Sequence, residues 1–143
     1  MTLVLDASVV LKWFFRDRGD EAHADNALAI LYALDAGTVR LLEPPHFVAE
    51  MAAVLARENP DGALDDLVNL EALDWRLTAE QGIYATAVEL SASLGHHLFD
   101  TLYHATALHE PGATLVTADE RYYKKAKVIG RIVLLHRLEL PGR

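Results

Sequence analysis

The chain contains no cysteine. That excludes disulfide frameworks, thiolate zinc sites and cysteine nucleophiles, and it fits a reducing compartment. No apolar run approaches the roughly 20 residues that a membrane-crossing helix needs. The opening Met1-Thr2-Leu3-Val4-Leu5-Asp6 lacks the basic stretch of a secretory signal. Together these absences lead us to expect a cytoplasmic protein with no membrane association. The phosphate-cradling patterns G-x-x-x-x-G-K and G-x-G-x-x-G are missing, as is the G-x-S-x-G nucleophile elbow. Basic residues are in deficit, with 13 Lys and Arg against 21 Asp and Glu, a net charge of −8. Such a balance argues against a general nucleic-acid coating protein. An enzyme acting on nucleic acid stays open, because a bound cation would cancel part of the acidic charge. Seven of the basic residues crowd the last quarter: Arg121, Lys124, Lys125, Lys127, Arg131, Arg137 and Arg143.

What is present is apolar: 52% of 143 residues, enough for one domain with a real core, spanning residues 1–143. Residues 2–6 read as a buried strand, because a continuous apolar run needs both faces covered. Helices are expected over 7–15, 20–35 (stopped by Gly37), 46–58 (stopped by Asn59-Pro60), 63–70, 78–94 (Thr78 as N-cap, Gly95 as stop), 100–109 and 119–127. Short strands are expected at 39–42, 73–77 and 113–117, with a last strand pattern over 128–129 and 132–135 straddling Gly130. Strands alternating with helices specify a parallel sheet. The expected fold class is α/β, a three-layer α/β/α arrangement around a short central parallel sheet.

Four acidic residues interrupt apolar segments. Asp6 ends Leu3-Val4-Leu5, Glu50 lies between Phe47-Val48-Ala49 and Met51-Ala52-Ala53, Asp100 follows Leu98-Phe99, and Asp119 follows Leu115-Val116-Thr117-Ala118. Carboxylates are rarely buried unless paired or metal-bound. In an open parallel sheet, ligands bind beyond the carboxyl ends of the strands, where Asp6 and Asp119 fall. Taken singly, Asp100 and Asp119 also read as helix N-caps and Asp6 as the start of an Asx-turn. Taken together they form one acidic pocket. Without a cation, each pair at about 5 Å would repel by roughly 3 kcal/mol at an effective dielectric near 20. Oxygen-only donors suit Mg²⁺ or Mn²⁺. Ser8 can support Asp6 or serve a turn, and Thr117 can orient a ligand beside Asp119 or cap the following helix. His96, His97 and His109 read as solvated. Trp13 and Phe14 read as a core or dimer contact, and the Arg121–Lys127 run as a solvated face or a contact for RNA phosphates.

At these residues the chain resembles the PIN-domain family, most closely its small VapC-type toxins. The opening motif is matched by Leu3-Val4-Leu5-Asp6-Ala7-Ser8, and the helical glutamate downstream of proline by Pro45-His46-Phe47-Val48-Ala49-Glu50. The third motif resembles Phe99-Asp100-Thr101-Leu102-Tyr103, and the fourth Leu115-Val116-Thr117-Ala118-Asp119. His104 stands where the family usually carries an apolar residue, which leaves open whether it faces core or pocket. The resemblance implies a metal-dependent ribonuclease of a toxin–antitoxin pair. Asp6, Glu50, Asp100 and Asp119 would hold Mg²⁺ or Mn²⁺, with Ser8 and Thr117 behind them. It further implies an RNA substrate, a cognate antitoxin, and a homodimer through an apolar helix face such as that of Val10, Trp13 and Phe14. Two other functions are weighed. An aspartyl phosphotransferase or phosphatase would use Asp6 as nucleophile, although the second Asp usual two residues on is replaced by Ser8. A non-catalytic PIN-like or receiver-like interaction domain would not need Glu50 in the pocket.

Overall fold

The computed structural model describes residues 1–142, so Arg143, counted above among the basic residues and in the 1–143 domain, lies outside the described residues. Five strands form one fully parallel sheet: β1 (Thr2–Leu5), β2 (Arg40–Glu43), β3 (Trp75–Leu77), β4 (Ala113–Thr117) and β5 (Ile132–Leu134), in the order β3-β2-β1-β4-β5. The central strand is Leu3-Val4-Leu5, wholly buried, as a strand covered on both faces must be. It pairs with β4 through Leu5↔Val116 but with β2 only through Leu3↔Leu41.

Seven helices connect the strands: α1 (Ala7–Phe15), α2 (Ala24–Asp35), α3 (Phe47–Glu58), α4 (Ala63–Glu71), α5 (Ile83–Leu94), α6 (Leu98–His109) and α7 (Glu120–Ala126). Right-handed crossovers place α1–α4, which link β1 to β2 to β3, on one face, and α5–α7 on the other. The contacts agree. Helix α1 packs on α2, α3 and the centre of the sheet, whereas α6 packs on α5, β1, β2 and β4. The three-layer α/β expectation therefore holds. The chain reverses direction across the sheet between β1 and β4, and that switch point opens a crevice at the strands' carboxyl ends. No helix among the described residues is long and apolar enough to cross a membrane.

Several element boundaries differ from expectation for identifiable reasons. Helix α2 begins at Ala24 rather than at position 20, because the preceding segment serves the buried Lys12. The Lys12 ammonium donates to Glu21 Oε1 (2.8 Å) and to the Ala22 carbonyl (2.6 Å). Helix α5 begins at Ile83, since Thr78 Oγ1 accepts from Glu80 N and Glu80 Oε1 from Gly82 N, spending the expected cap on two turns. Helix α6 begins at Leu98 with His97 as N-cap, which puts Asp100 inside the first turn. The 128–129 half of the last strand pattern is a turn, with Gly130 and Arg131 at φ +87° and +55°.

The proposed dimer face is not available. Val10 is fully buried and Trp13 is 4% exposed, its indole Nε1 donating to the Ala27 carbonyl at 2.8 Å. Both belong to the core, because the apolar stripe of α1 is spent on α2 and the sheet.

His104 faces the core. It is wholly buried, with Nε2 2.8 Å from the Gly130 carbonyl and Nδ1 2.9 Å from the Tyr122 hydroxyl. A carbonyl only accepts, so Nε2 carries the proton and Nδ1 accepts from tyrosine. Replacing His104 with Ala should lower the unfolding free energy by about 2 kcal/mol, since it strands two buried polar partners. Urea denaturation checks this; a loss under about 0.5 kcal/mol, usual for a surface change, would overturn the placement.

Candidate active site

Asp6 leaves β1 at the N-cap position of α1 but makes no capping bond. Its two carboxylate oxygens instead accept from the Ser8 and Thr117 hydroxyls. Each hydroxyl also accepts a backbone amide, Ala118 N on Ser8 Oγ (3.2 Å) and Asp119 N on Thr117 Oγ1 (3.0 Å). Carboxylate, hydroxyls and amides thus lock the carboxyl ends of β1 and β4 together. Both supporting residues expected from the sequence, Ser8 and Thr117, touch Asp6.

Asp119 caps α7 through Oδ1, which accepts from Tyr122 N at 3.0 Å. It therefore has a structural role as well as a place in the pocket, where its oxygens approach those of Asp100. Asp100, one turn into α6, accepts from His96 Nε2 at 2.9 Å. His96, Asp100 and Asp119 each offer a ligand atom within 4.8 Å of the others, a spacing that one metal ion could bridge. Glu50 sits in the first turn of α3, 3.3 Å from His46 Nε2, and its Oε2 makes no hydrogen bond. The charges of Asp100 and Asp119 act on Asp6, and those of Glu50 and Asp119 act on Asp100. Of the four expected carboxylates, Asp100 and Asp119 fall within that metal-sized group, whereas Asp6 and Glu50 lie outside it and bear on it through their charge.

Three residues in or around the site escaped sequence reasoning. His96 is not solvated: its side chain is 10% exposed, its ring tilted against that of Tyr122 (centroids 4.7 Å apart), with Nδ1 3.3 Å from Lys125 Nζ. An ammonium only donates, so Nδ1 accepts and Nε2–H donates to Asp100. His46 lies between Glu50 and Phe99, its Nε2 2.8 Å from the Phe99 carbonyl. Glu43, at the end of β2, is wholly buried, with Oε1 accepting Leu5 N at 2.9 Å. Glu43 Oε2, Glu50 Oε2, His46 Nδ1 and Tyr103 Oη are the buried side-chain atoms without a hydrogen bond among the described residues. Of the other two histidines read as solvated, His97 caps α6 and the exposed His109 meets Thr86 Oγ1 at 2.7 Å.

Electrostatics follow from this crowding. Burial pushes the Asp6 carboxyl up to about 7; Ser8 and Thr117 oppose the rise, and Asp100 and Asp119 add to it. Burial also raises Glu43 well above the usual carboxylate range and raises Asp100, which His96 partly offsets. Tyr103 is pushed upward by burial and by the surrounding carboxylates. Carboxylates desolvated and pressed together in this way form a site whose charge a divalent cation would satisfy.

The fold is an α/β domain with acidic side chains gathered at the switch point of a short parallel sheet. The PIN domain family model matches residues 3–128. This protein belongs to the PIN-domain family. Among solved structures it resembles a chain of VapBC2 from Rickettsia felis, determined bound to a DNA fragment from its promoter. That match has 18% identity and a TM-score of 0.66, covering 94% of this chain and 97% of that one. It also resembles a chain of VapBC-1 from nontypeable Haemophilus influenzae, at 15% identity and a TM-score of 0.67, covering 96% and 100%. No curated protein matches it by sequence.

The raised carboxyls set a pH dependence. Between about 3.8 and 7 the folded Asp6 binds more protons than the unfolded one, so its stabilising contribution is lost as pH rises through that window. Glu43 and Asp100 act in the same direction. His104 opposes them: burial lowers its pKa below 6.5, so its contribution grows with pH up to that value. Three acids outweigh one imidazole. Protein in EDTA should melt at a lower temperature at about pH 8 than at about pH 5, and Asp6→Asn should flatten the difference. A wild-type melting temperature that climbs over this range would contradict the reading.

Proposed function

We propose that the protein is a metal-dependent ribonuclease, the VapC-like toxin of a toxin–antitoxin pair, hydrolysing RNA phosphodiester bonds. The observation carrying this reading is the acidic cluster of Asp100 and Asp119 with His96, on which the charge of Glu50 bears and beside which the Asp6 carboxyl is raised to about 7 by burial. Such a group is partly protonated at neutral pH and would ionise fully beside a cation. The donors fit Mg²⁺ or Mn²⁺, since the four carboxylates supply hard oxygens and Glu50 Oε2, though 3.3 Å from His46 Nε2, accepts no hydrogen bond. Asp6, Glu50, Asp100 and Asp119 would hold the metal, directly or through waters. A bound divalent ion supplies a water of lowered pKa and neutralises charge developing on phosphate and leaving oxygen.

The protein's own residues do the aiming. Ser8 and Thr117 fix both oxygens of Asp6, and His96 turns Asp100 towards Asp119. Lys124, Lys127 and Arg137, with Tyr123 and a single acid, Glu120, line a cleft along α7, the helix that Asp119 caps, a net basic flank that favours a polyanionic substrate. The interaction-domain alternative gives no reason for the charge of Glu50 to bear on Asp100. The aspartyl-nucleophile alternative is weakened by the two hydroxyls that occupy both oxygens of Asp6.

Family and structural likeness support an antitoxin partner that presents a basic side chain to the pocket, since a guanidinium pairs bidentately with carboxylates in place of a cation. We further infer a cytoplasmic homodimer, whose face is not the buried one of Val10 and Trp13. Exposed apolar side chains such as Leu64 and Val68 on α4, or Tyr84 and Val88 on α5, remain for it. Light scattering of the isolated protein and co-purification with the neighbouring gene product test these two points.

Purified protein freed of its partner should cleave RNA with Mg²⁺ or Mn²⁺ and stop with EDTA. Asp6→Asn and Asp119→Asn should abolish cleavage while leaving metal-free melting temperatures unchanged or higher, because asparagine keeps the cap and removes repulsion. Asp119→Ala should cost about 1 kcal/mol through the lost cap. Robust cleavage in EDTA, or a destabilised Asp6→Asn that still cuts RNA, would sink the assignment.

A further inference from the structure

Glu43 is an oddity that the reaction does not obviously use. It is 0% exposed, lies at the end of a strand, and precedes Pro44-Pro45. Buried carboxyls are costly, so one kept between two apolar strands asks for a structural or functional return.

The ladder around it supplies the reason. β1 stays paired with β4 through Leu5, and Asp6 N continues that line by donating to the Val116 carbonyl at 3.3 Å. On its other side, β1 parts from β2 after Leu3↔Leu41. Alternate amides of a strand point to opposite neighbours, so Leu5 N faces the side that β2 has left. The Glu43 side chain reaches back and accepts that amide at 2.9 Å. Its own backbone stays in register with β3: Glu43 pairs with Leu77, and its carbonyl accepts Thr78 N at 2.9 Å. One residue therefore joins three strands, by backbone on one side and side chain on the other.

Its position in the chain makes this matter. Leu5 immediately precedes Asp6, and Glu43 leads through two prolines into α3, whose first turn carries Glu50. Asp6 and Glu50 are also the two charges that act on Glu43. We propose that Glu43 is a positioning residue for the acidic site: its buried carboxyl clamps the end of β1 to the β2–α3 junction and so fixes the distance between Asp6 and Glu50. This rests on the reading of those two residues as metal ligands. Glu43 itself stays beneath the pocket and acts through Leu5, without touching substrate.

The test compares Glu43→Gln, which keeps an acceptor at the same reach, with Glu43→Leu, which keeps the volume and removes the acceptor. Three quantities are read: Mn²⁺ affinity by calorimetry, RNA cleavage, and hydrogen exchange of the Leu5 amide by NMR without metal. Glu43→Gln should bind Mn²⁺ and cleave within about three-fold of wild type and keep the Leu5 amide protected. Glu43→Leu should exchange that amide at least ten-fold faster and lose ten-fold or more in both Mn²⁺ affinity and cleavage. Should Glu43→Leu fail to fold, Glu43→Asp takes its place, since its carboxylate is one methylene too short to reach Leu5 and the same losses are expected. Unchanged Mn²⁺ affinity in Glu43→Leu, or a Glu43→Gln as impaired as Glu43→Leu, overturns the clamp. A wild type with a protected Leu5 amide that takes up no Mn²⁺ rejects the metal reading and with it the proposed role of the clamp.

Discussion

Everything at this site depends on how the Asp6 carboxylate is held. Two hydroxyls, Ser8 from the first turn of α1 and Thr117 from the end of β4, point at its two oxygens, and each hydroxyl also accepts a backbone amide of the 118–119 turn. Partners 111 residues apart in sequence are thereby fixed at the one place in the sheet where the chain changes direction. A carboxylate at that point would otherwise carry most of its desolvation penalty unopposed. Hydroxyl donors recover part of it, yet burial still holds the group near neutrality. The fold accepts this local cost because the neighbouring strand residues Leu3, Val4, Leu5, Leu115 and Val116 lie wholly inside a single apolar cluster.

The remaining carboxylates are placed by the starts of helices. Asp119 caps α7, so its backbone position is set by the start of that helix. Asp100 lies inside the first turn of α6, where a partial positive charge favours an anion, and leans on His96. Glu50 occupies the corresponding turn of α3. Three helix starts converge on one crevice, which is how a chain of net charge −8 concentrates negative groups without losing its fold. His104 contributes from behind: by tying Tyr122 to the Gly130 turn it anchors the helix that Asp119 begins.

Much of this was legible in the sequence because strands and helices announce their ends. An apolar run that stops at an aspartate marks a strand's carboxyl end, and Asp6 and Asp119 do follow the ends of β1 and β4. Helical periodicity placed Glu50 and Asp100. Glu43 was missed because Glu-Pro-Pro after a short strand reads as a turn, and nothing local reveals that its side chain reaches a strand 38 residues earlier. His96 was missed for a similar reason. Its partners are an aspartate four residues on and a lysine 29 residues on, and the contact with the lysine exists only in the tertiary structure. The Val10–Trp13–Phe14 face was misassigned because an apolar stripe on a short helix reports burial without saying whether another molecule or the same chain provides it. The early turns before α2 and α5 were hidden by side chains, Glu21 and Thr78, that spend their hydrogen bonds outside the helix.

The acidic side chains and their neighbours are graded from buried to part-exposed. Glu43 and Tyr103 are wholly buried, and each carries an oxygen without a hydrogen bond. Asp6 stands above them, held by neutral hydroxyls. Asp100 and Asp119 come next, and His96 with Lys125 closes the outer side. Negative groups are thus least solvated at the bottom, while the nearest positive charge lies at the edge. That ordering of charge, set by the parting of β1 from β2 and the turn after β4, is what makes this pocket more than four acids brought into proximity.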